Sequence, residues 1–148
     1  MIKFPNRPRL EVLEAGWFRL IEDWNYQWCH ADRDWRLVVR AGFECDLASV
    51  PKFLHSLIGR KDLGLGPPLL HDMIYACRGD VFGSRFGDLE VRNRGRWVVR
   101  NDRVTRNQAD RVFGRQMREV QVPKLRRRAA YLAVRAFGWY AWGSGNAQ

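Results

Sequence analysis

The stretch Gly66-Pro67-Pro68-Leu69-Leu70-His71-Asp72-Met73-Ile74-Tyr75 constrains this chain most, because a helix start and a cluster of reactive side chains coincide there. Two prolines suit a first helical turn, where a missing N–H costs nothing and the fixed φ is already helical. At 100° per residue, Leu69, Leu70, Met73, Ile74 and Cys77 fall on one broad arc, while His71, Asp72 and Tyr75 share the other. The first arc predicts packing against a core. The second predicts either the wet face of an amphipathic helix or a site.

What surrounds this helix follows from periodicity. Arg9–Leu13 and Trp17–Ile21 alternate apolar with polar around Ala15-Gly16, which predicts a hairpin. Trp35–Arg40, Ala41-Gly42 and Phe43–Asp46 repeat the pattern, so a second hairpin is expected to deliver Asp46 at a strand end. Ala48-Ser49-Val50-Pro51 reads as a loop, with Ser49 as cap and Pro51 as first residue of a short helix over 52–58 that Gly59 ends. Leu89–Arg92 and Arg96–Arg100 flank Asn93-Arg94-Gly95 and predict a third hairpin, an excursion from the helical half with a basic, exposed tip.

Thr105, with Gln108 three residues on, forms a capping box that opens a helix with the inward stripe Ala109, Val112, Phe113, Gln116, Met117 and Val120. Asp110 sits at the edge of that stripe, where a carboxylate needs a partner, and Arg106 one turn back is the local choice. Pro123 opens the last helix, in which Leu125, Ala129, Leu132, Ala133 and Ala136 recur at helical spacing behind a collar of Arg126, Arg127 and Arg128. Its close, Phe137-Gly138-Trp139-Tyr140-Ala141-Trp142, is expected to complete the core or to present an aromatic patch.

These elements predict an α+β fold in a single domain spanning 1–148: a sheet-rich part over 1–47 and a helical part over 51–142, with the hairpin 89–100 inserted into the latter. Antiparallel hairpins at the N-terminus would pack against about three helices. A length of 148 residues and a hydrophobic share of 46% suffice for one sizeable core. Seven Trp and eight Phe are to be divided between that core and an interface. Three widely spaced cysteines without a C-x-x-C pair read as reduced thiols. The most apolar stretch, Ala129–Trp142, is broken by Arg135 and Gly138 and falls short of the roughly 20 residues of a spanning helix.

A net charge of +10, carried mainly by Arg, points to an acidic partner, either nucleic acid or an anionic protein face. Arg92, Arg94, Arg96 and Arg100 concentrate on the third hairpin, and a two-stranded ribbon fits a DNA major groove. Asp46, His71, Asp72 and Asp110 carry the candidate chemistry. Three carboxylates and an imidazole can hold a divalent metal that acidifies water for attack on a phosphoester or amide, with Ser49 and Tyr75 hydrogen-bonding the substrate. The same residues also read structurally, with Asp46 anchoring the loop before Pro51 and His71 with Asp110 forming a buried polar network. Both readings require Asp46, His71 and Asp110 to converge.

The ordered set Phe43-x-x-Asp46-x-Ala48-Ser49-x-Pro51, His71-Asp72-x-x-Tyr75, Ala109-Asp110-x-x-Phe113-x-x-x-Met117 and Val134-Arg135-x-Phe137-Gly138-Trp139 resembles a small family of tailed bacteriophages and prophages, known only as a domain of unknown function. The resemblance runs from about Phe43 to Trp142. It implies a phage origin, not an activity. With no signal-peptide pattern in the polar Met1–Leu10 segment, synthesis in the bacterial host cytoplasm is expected, and a phage chain rich in Arg and Trp suits a place in the virion or its assembly machinery (tail, neck or baseplate), where the aromatic last helix or the basic hairpin meets other phage proteins. The layout also resembles HD-type metal phosphohydrolases, with His55 as the candidate first ligand.

Overall fold

The computed structural model describes residues 7–14, 17–46 and 66–144. The turn at Ala15-Gly16, the loop carrying Ser49 and Pro51, the short helix expected over 52–58 and His55 lie outside these residues. The fold is α+β, with two antiparallel sheets and three helices among the described residues.

Strands β1 (Leu10–Glu14) and β2 (Trp17–Leu20) form the expected first hairpin. Next come β3 (Trp24–His30) and β4 (Arg33–Val39), joined through Ala31 and Asp32, whose φ values of 50° and 56° make the two-residue turn that matches strand twist. This hairpin was not predicted, because Ala-Asp is a poor advertisement for a turn that demands two left-handed residues. The expected pairing of Trp35–Arg40 with Phe43–Asp46 is corrected. Both edges of β4 are occupied, by β3 and by β6 (Gly87–Asn93), so β5 (Glu44–Cys45) pairs instead with β2, giving a three-stranded sheet ordered β1-β2-β5. Ala41 and Gly42 carry the chain across, with the Gly42 amide donating to the Leu20 carbonyl at 2.7 Å and the Leu20 amide to Phe43 at 2.9 Å.

The hairpin at 89–100 is present as β6 and β7 (Arg96–Arg100), turning through Arg94 and Gly95. It is no excursion. β6 is an interior strand of the second sheet, ordered β3-β4-β6-β7, and Leu89 and Val91 are buried, so only the tip and β7 project as expected. Period-two alternation sends Trp24, Tyr26, Leu37, Val39 and Leu89 to one face of this sheet.

Helix α1 (Gly66–Ala76) lies on that face, its Leu69, Leu70, Met73 and Ile74 sharing the sheet's core. The wet polar face is corrected as well: His71 and Tyr75 are as buried as the apolar arc, since α2 (Arg106–Glu119) covers the far side. α2 begins at the expected capping box, Thr105 accepting from the Gln108 amide at 3.2 Å while the Gln108 side chain accepts from the Thr105 amide at 2.8 Å. It ends on Gln121 at φ 62°, with Val122 bonded back to Met117 and Gln121 to Arg118, the Schellman pattern.

A second apolar cluster, Phe113, Met117, Val122, Ala130, Ala133 and Val134, joins α2 to α3 (Lys124–Ser144). The stripe predicted for α3 is only partly right. Ala133 points inward, but Leu125 and Leu132 are exposed, and the buried side runs instead through Ala130, Val134 and Gly138. Small residues win that side because the helix passes close to its neighbours: a Cβ added at Gly114 of α2 would already touch the Tyr131 ring at 3.3 Å.

Candidate functional site

Where the three helices meet, one carboxylate collects three donors. Asp110 enters from the buried side of α2, one residue past Ala109, and is fully shielded from solvent. His71 and Tyr75, four residues apart on α1 and hence one above the other, both reach its Oδ1: His71 Nε2 at 2.9 Å and the Tyr75 hydroxyl at 2.6 Å. Arg135 of α3 donates Nη1 to Oδ2 at 2.8 Å. The His71 and Tyr75 rings lie 4.1 Å apart, Phe113 closes over His71 at 4.9 Å, and Trp142 meets Tyr75 edge-on at 5.0 Å.

The electrostatics of this knot are self-consistent. Burial works to raise the Asp110 pKa, but hydrogen bonds from His71, Tyr75 and Arg135 outweigh it, and the carboxyl is held below its ordinary value. His71 is shifted down, first by desolvation and against the pull of Asp110, so the imidazole is neutral and its Nε2 carries the proton given to the carboxylate. Tyr75 is pushed up by burial and then by its bond to Asp110, which keeps the hydroxyl a donor. The Arg135 guanidinium supplies the counter-charge to Asp110, so the site is close to neutral.

Convergence of His71 with Asp110, expected from their placement on apolar elements, is therefore found, and Tyr75 joins them. The partner assigned to Asp110 is corrected: it bonds Arg135, while Arg106 donates to the Arg135 carbonyl at 3.3 Å and steadies that residue instead. Asp72 is half-buried beside the knot, and Asp46 stands exposed just beyond β5. Among the described residues, no three His, Cys, Asp or Glu side chains group so as to hold a metal. Asp110 fits a metal poorly as arranged, because three of the roughly four lone-pair directions of a carboxylate already receive N–H or O–H donors.

Two participants were not assigned to the site by the sequence reading: Arg135 and Gly138 entered it as interruptions of an apolar stretch and as members of the family motif, without a role in the site. Gly138 sits against the site: a Cβ there would stand 2.6 Å from the Tyr75 hydroxyl and 3.3 Å from its ring. Both belong to the motif Val134-Arg135-x-Phe137-Gly138-Trp139, and a lone Arg on the buried side of a helix was the signal available.

The basic surface is weaker than its formal charge. Arg100 is paired with Asp102 at 2.7 Å, Arg103 with Asp80 at 3.3 Å and Arg92 approaches Asp34 at 3.9 Å, while Arg94 and Arg96 project at the hairpin tip. Arg36 and Arg40 of the sheet are likewise matched by Glu90 and Asp88. No helix among the described residues is long and apolar enough to cross a membrane.

Comparison with known proteins finds a family match. A family model described as "Protein of unknown function (DUF1353)" covers residues 18–134, which takes in the described strands except β1 and the first residue of β2, together with α1, α2 and three of the four members of the polar knot. No curated protein and no solved structure matches.

Proposed function

The chain belongs to that family of unknown function, and from this premise we propose that it is a bacteriophage-encoded accessory protein, a virion-associated or assembly component of the tail, neck or baseplate kind. The observation that carries the reading is the enclosure of the His71–Asp110–Tyr75–Arg135 knot. His71 and Asp110 have no exposed side-chain surface, and the imidazole nitrogen best placed for proton transfer is spent on the carboxylate. A catalytic acid or base must reach a substrate proton within hydrogen-bond distance. This group reaches three helices instead, which is what a polar clamp that fixes their packing has to do.

What the fold sends outward suits an assembly role. Val12, Trp17, Phe82, Trp139 and Tyr140 are exposed, and large rings at a surface are the usual anchors of protein interfaces. The phage assignment rests on the sequence motifs given above. The metal-hydrolase alternative, built on Asp46, His71, Asp72 and Asp110 with Ser49 and Tyr75, would need Asp110 to give up donors it holds in this structure.

The test is quantitative mass spectrometry of gradient-purified particles from an induced lysogen carrying the gene. A fixed copy number per particle supports the proposal. Particles complete and infective without the chain, together with its recovery solely in the soluble lysate, would sink it.

A further inference from the structure

Among the described residues, helix α3 carries a run of exposed large apolar side chains. On the side away from α2, Leu125, Leu132, Trp139 and Tyr140 are 79%, 65%, 65% and 70% exposed. Leu125, Ala129, Leu132, Ala136, Trp139 and Gly143 follow a strict alternation of four- and three-residue steps, which confines them to an arc of about 80° along the helix. The sizes alternate too: large at 125, 132 and 139, small at 129, 136 and 143.

That alternation is self-complementary in one orientation. When two such helices run antiparallel with Leu132 facing Ala136 of the other copy, the same register sets Trp139 against Ala129 and Leu125 against Gly143. Every layer then joins a large residue to a small one, the condition for interlocking without voids. A parallel pair would stack Trp on Trp and leave Ala–Ala and Gly–Gly layers empty.

Charge selects the same orientation. Lys124, Arg126, Arg127 and Arg128 occupy the first turns of α3, where the helix's own dipole is also positive, and no Asp or Glu occurs from Pro123 onward. In an antiparallel pair this cluster lies beside the carbonyl end and the aromatic close of the second copy, where both the dipole and the ring faces attract cations. A parallel pair would press the two clusters together.

Area sets the strength. At roughly 200 Å² per large side chain, the four exposed residues present on the order of 500 Å², the upper end of what a monomer leaves uncovered. Two copies would bury about 1,000 Å² in total, the lower limit of a specific interface.

We infer that α3 pairs antiparallel with α3 of a second copy of this chain, Leu125, Leu132 and Trp139 of each seating against Gly143, Ala136 and Ala129 of the other. The pair has twofold symmetry and, from its area, is concentration-dependent.

Sedimentation equilibrium of the full chain from low to high micromolar concentration tests the association. The parent is expected to follow a monomer–dimer equilibrium, and Ala136→Glu, at an exposed position, to raise the dissociation constant at least about tenfold without altering the melting curve of the dilute protein. Leu132→Glu serves as a second variant. Orientation is read by oxidising a mixture of Leu125→Cys and Gly143→Cys chains in a Cys29→Ser background, the 125–143 disulfide being expected to dominate. A parent that is monomeric throughout would overturn the inference, as would a dominant 125–125 disulfide. Monomeric parent that binds vesicles containing anionic phosphatidylglycerol, with Ala136→Glu abolishing that binding, would assign the face to a membrane surface and overturn it equally.

Discussion

The Tyr75 hydroxyl occupies the space that any side chain at position 138 would need. A Cβ on residue 138 would come within 2.6 Å of that oxygen, which itself stands 2.6 Å from Asp110. Glycine is required there for room. Gly138→Ala should push the phenol off Asp110 and cost on the order of 2 kcal/mol in urea denaturation, the cost of a strained contact plus a lost buried hydrogen bond. Tyr75→Phe removes the colliding atom, so the double variant should lose distinctly less than the sum of the two single losses. Additive losses would show that the two residues do not share the space.

Asp110 is the residue on which the helix junction depends. Asp110→Ala leaves His71 Nε2–H, the Tyr75 hydroxyl and the Arg135 guanidinium without their common acceptor. Breaking a buried charged network in this way should cost about 3 kcal/mol or more. The clamp reading also predicts that EDTA leaves the melting temperature of the parent unchanged. A chelator-induced drop, or an Asp110→Ala chain with parental stability that no longer takes up metal, would favour the metal site instead.

The two outcomes above turn on residues of unequal legibility. Asp110 could be picked out because a carboxylate at the edge of an apolar helical stripe needs a partner, and His71 because it shares one arc of α1 with Asp72 and Tyr75. Thr105 with Gln108 was equally readable, since a capping box is a local signal. The identity of the partner was not, because Arg106 and Arg135 are equally good donors in sequence and only the crossing of α2 with α3 decides between them. Strand pairing failed for the same kind of reason. Residues 43–46 carry the alternation of a strand, but whether they meet β4 or β2 depends on which edges β3 and β6 have already taken. The outward face of α3 was mistaken for the inward one because both sides of that helix are apolar, and periodicity alone cannot rank them.

The neutral state of His71 makes the fold sensitive to mild acid. Its folded pKa lies below the ordinary 6.5, so the unfolded chain binds the proton more readily and folding stability is complete above about 6.5 and falls as pH drops below it. Asp110, also lowered, adds a second loss that begins below its ordinary 3.8. Denaturant titrations between pH 7.5 and 5 should therefore show the parent losing stability relative to His71→Gln, which keeps a donor near Asp110 but cannot take up a proton. Parallel pH profiles for the two chains would show that His71 titrates alike in the folded and unfolded states.

The cysteines should separate by exposure. Cys29 lies exposed at the far end of β3, Cys45 is buried, and Cys77, after α1, is half-buried with its thiol pushed up to about 11, chiefly by desolvation. The thiolate is the reactive species, so at pH 8 the Cys77 thiol is almost wholly protonated as well as shielded. With a chromogenic disulfide reagent, the folded chain should release one equivalent promptly, and Cys29→Ser should abolish that phase. The other two equivalents should appear on the timescale of opening of the core, and faster in Gly138→Ala, because loosening the Tyr75–Trp142 contact loosens the segment that follows α1. Prompt release of more than one equivalent from the parent would mean that the core around Cys45 or Cys77 opens far more readily than its packing implies.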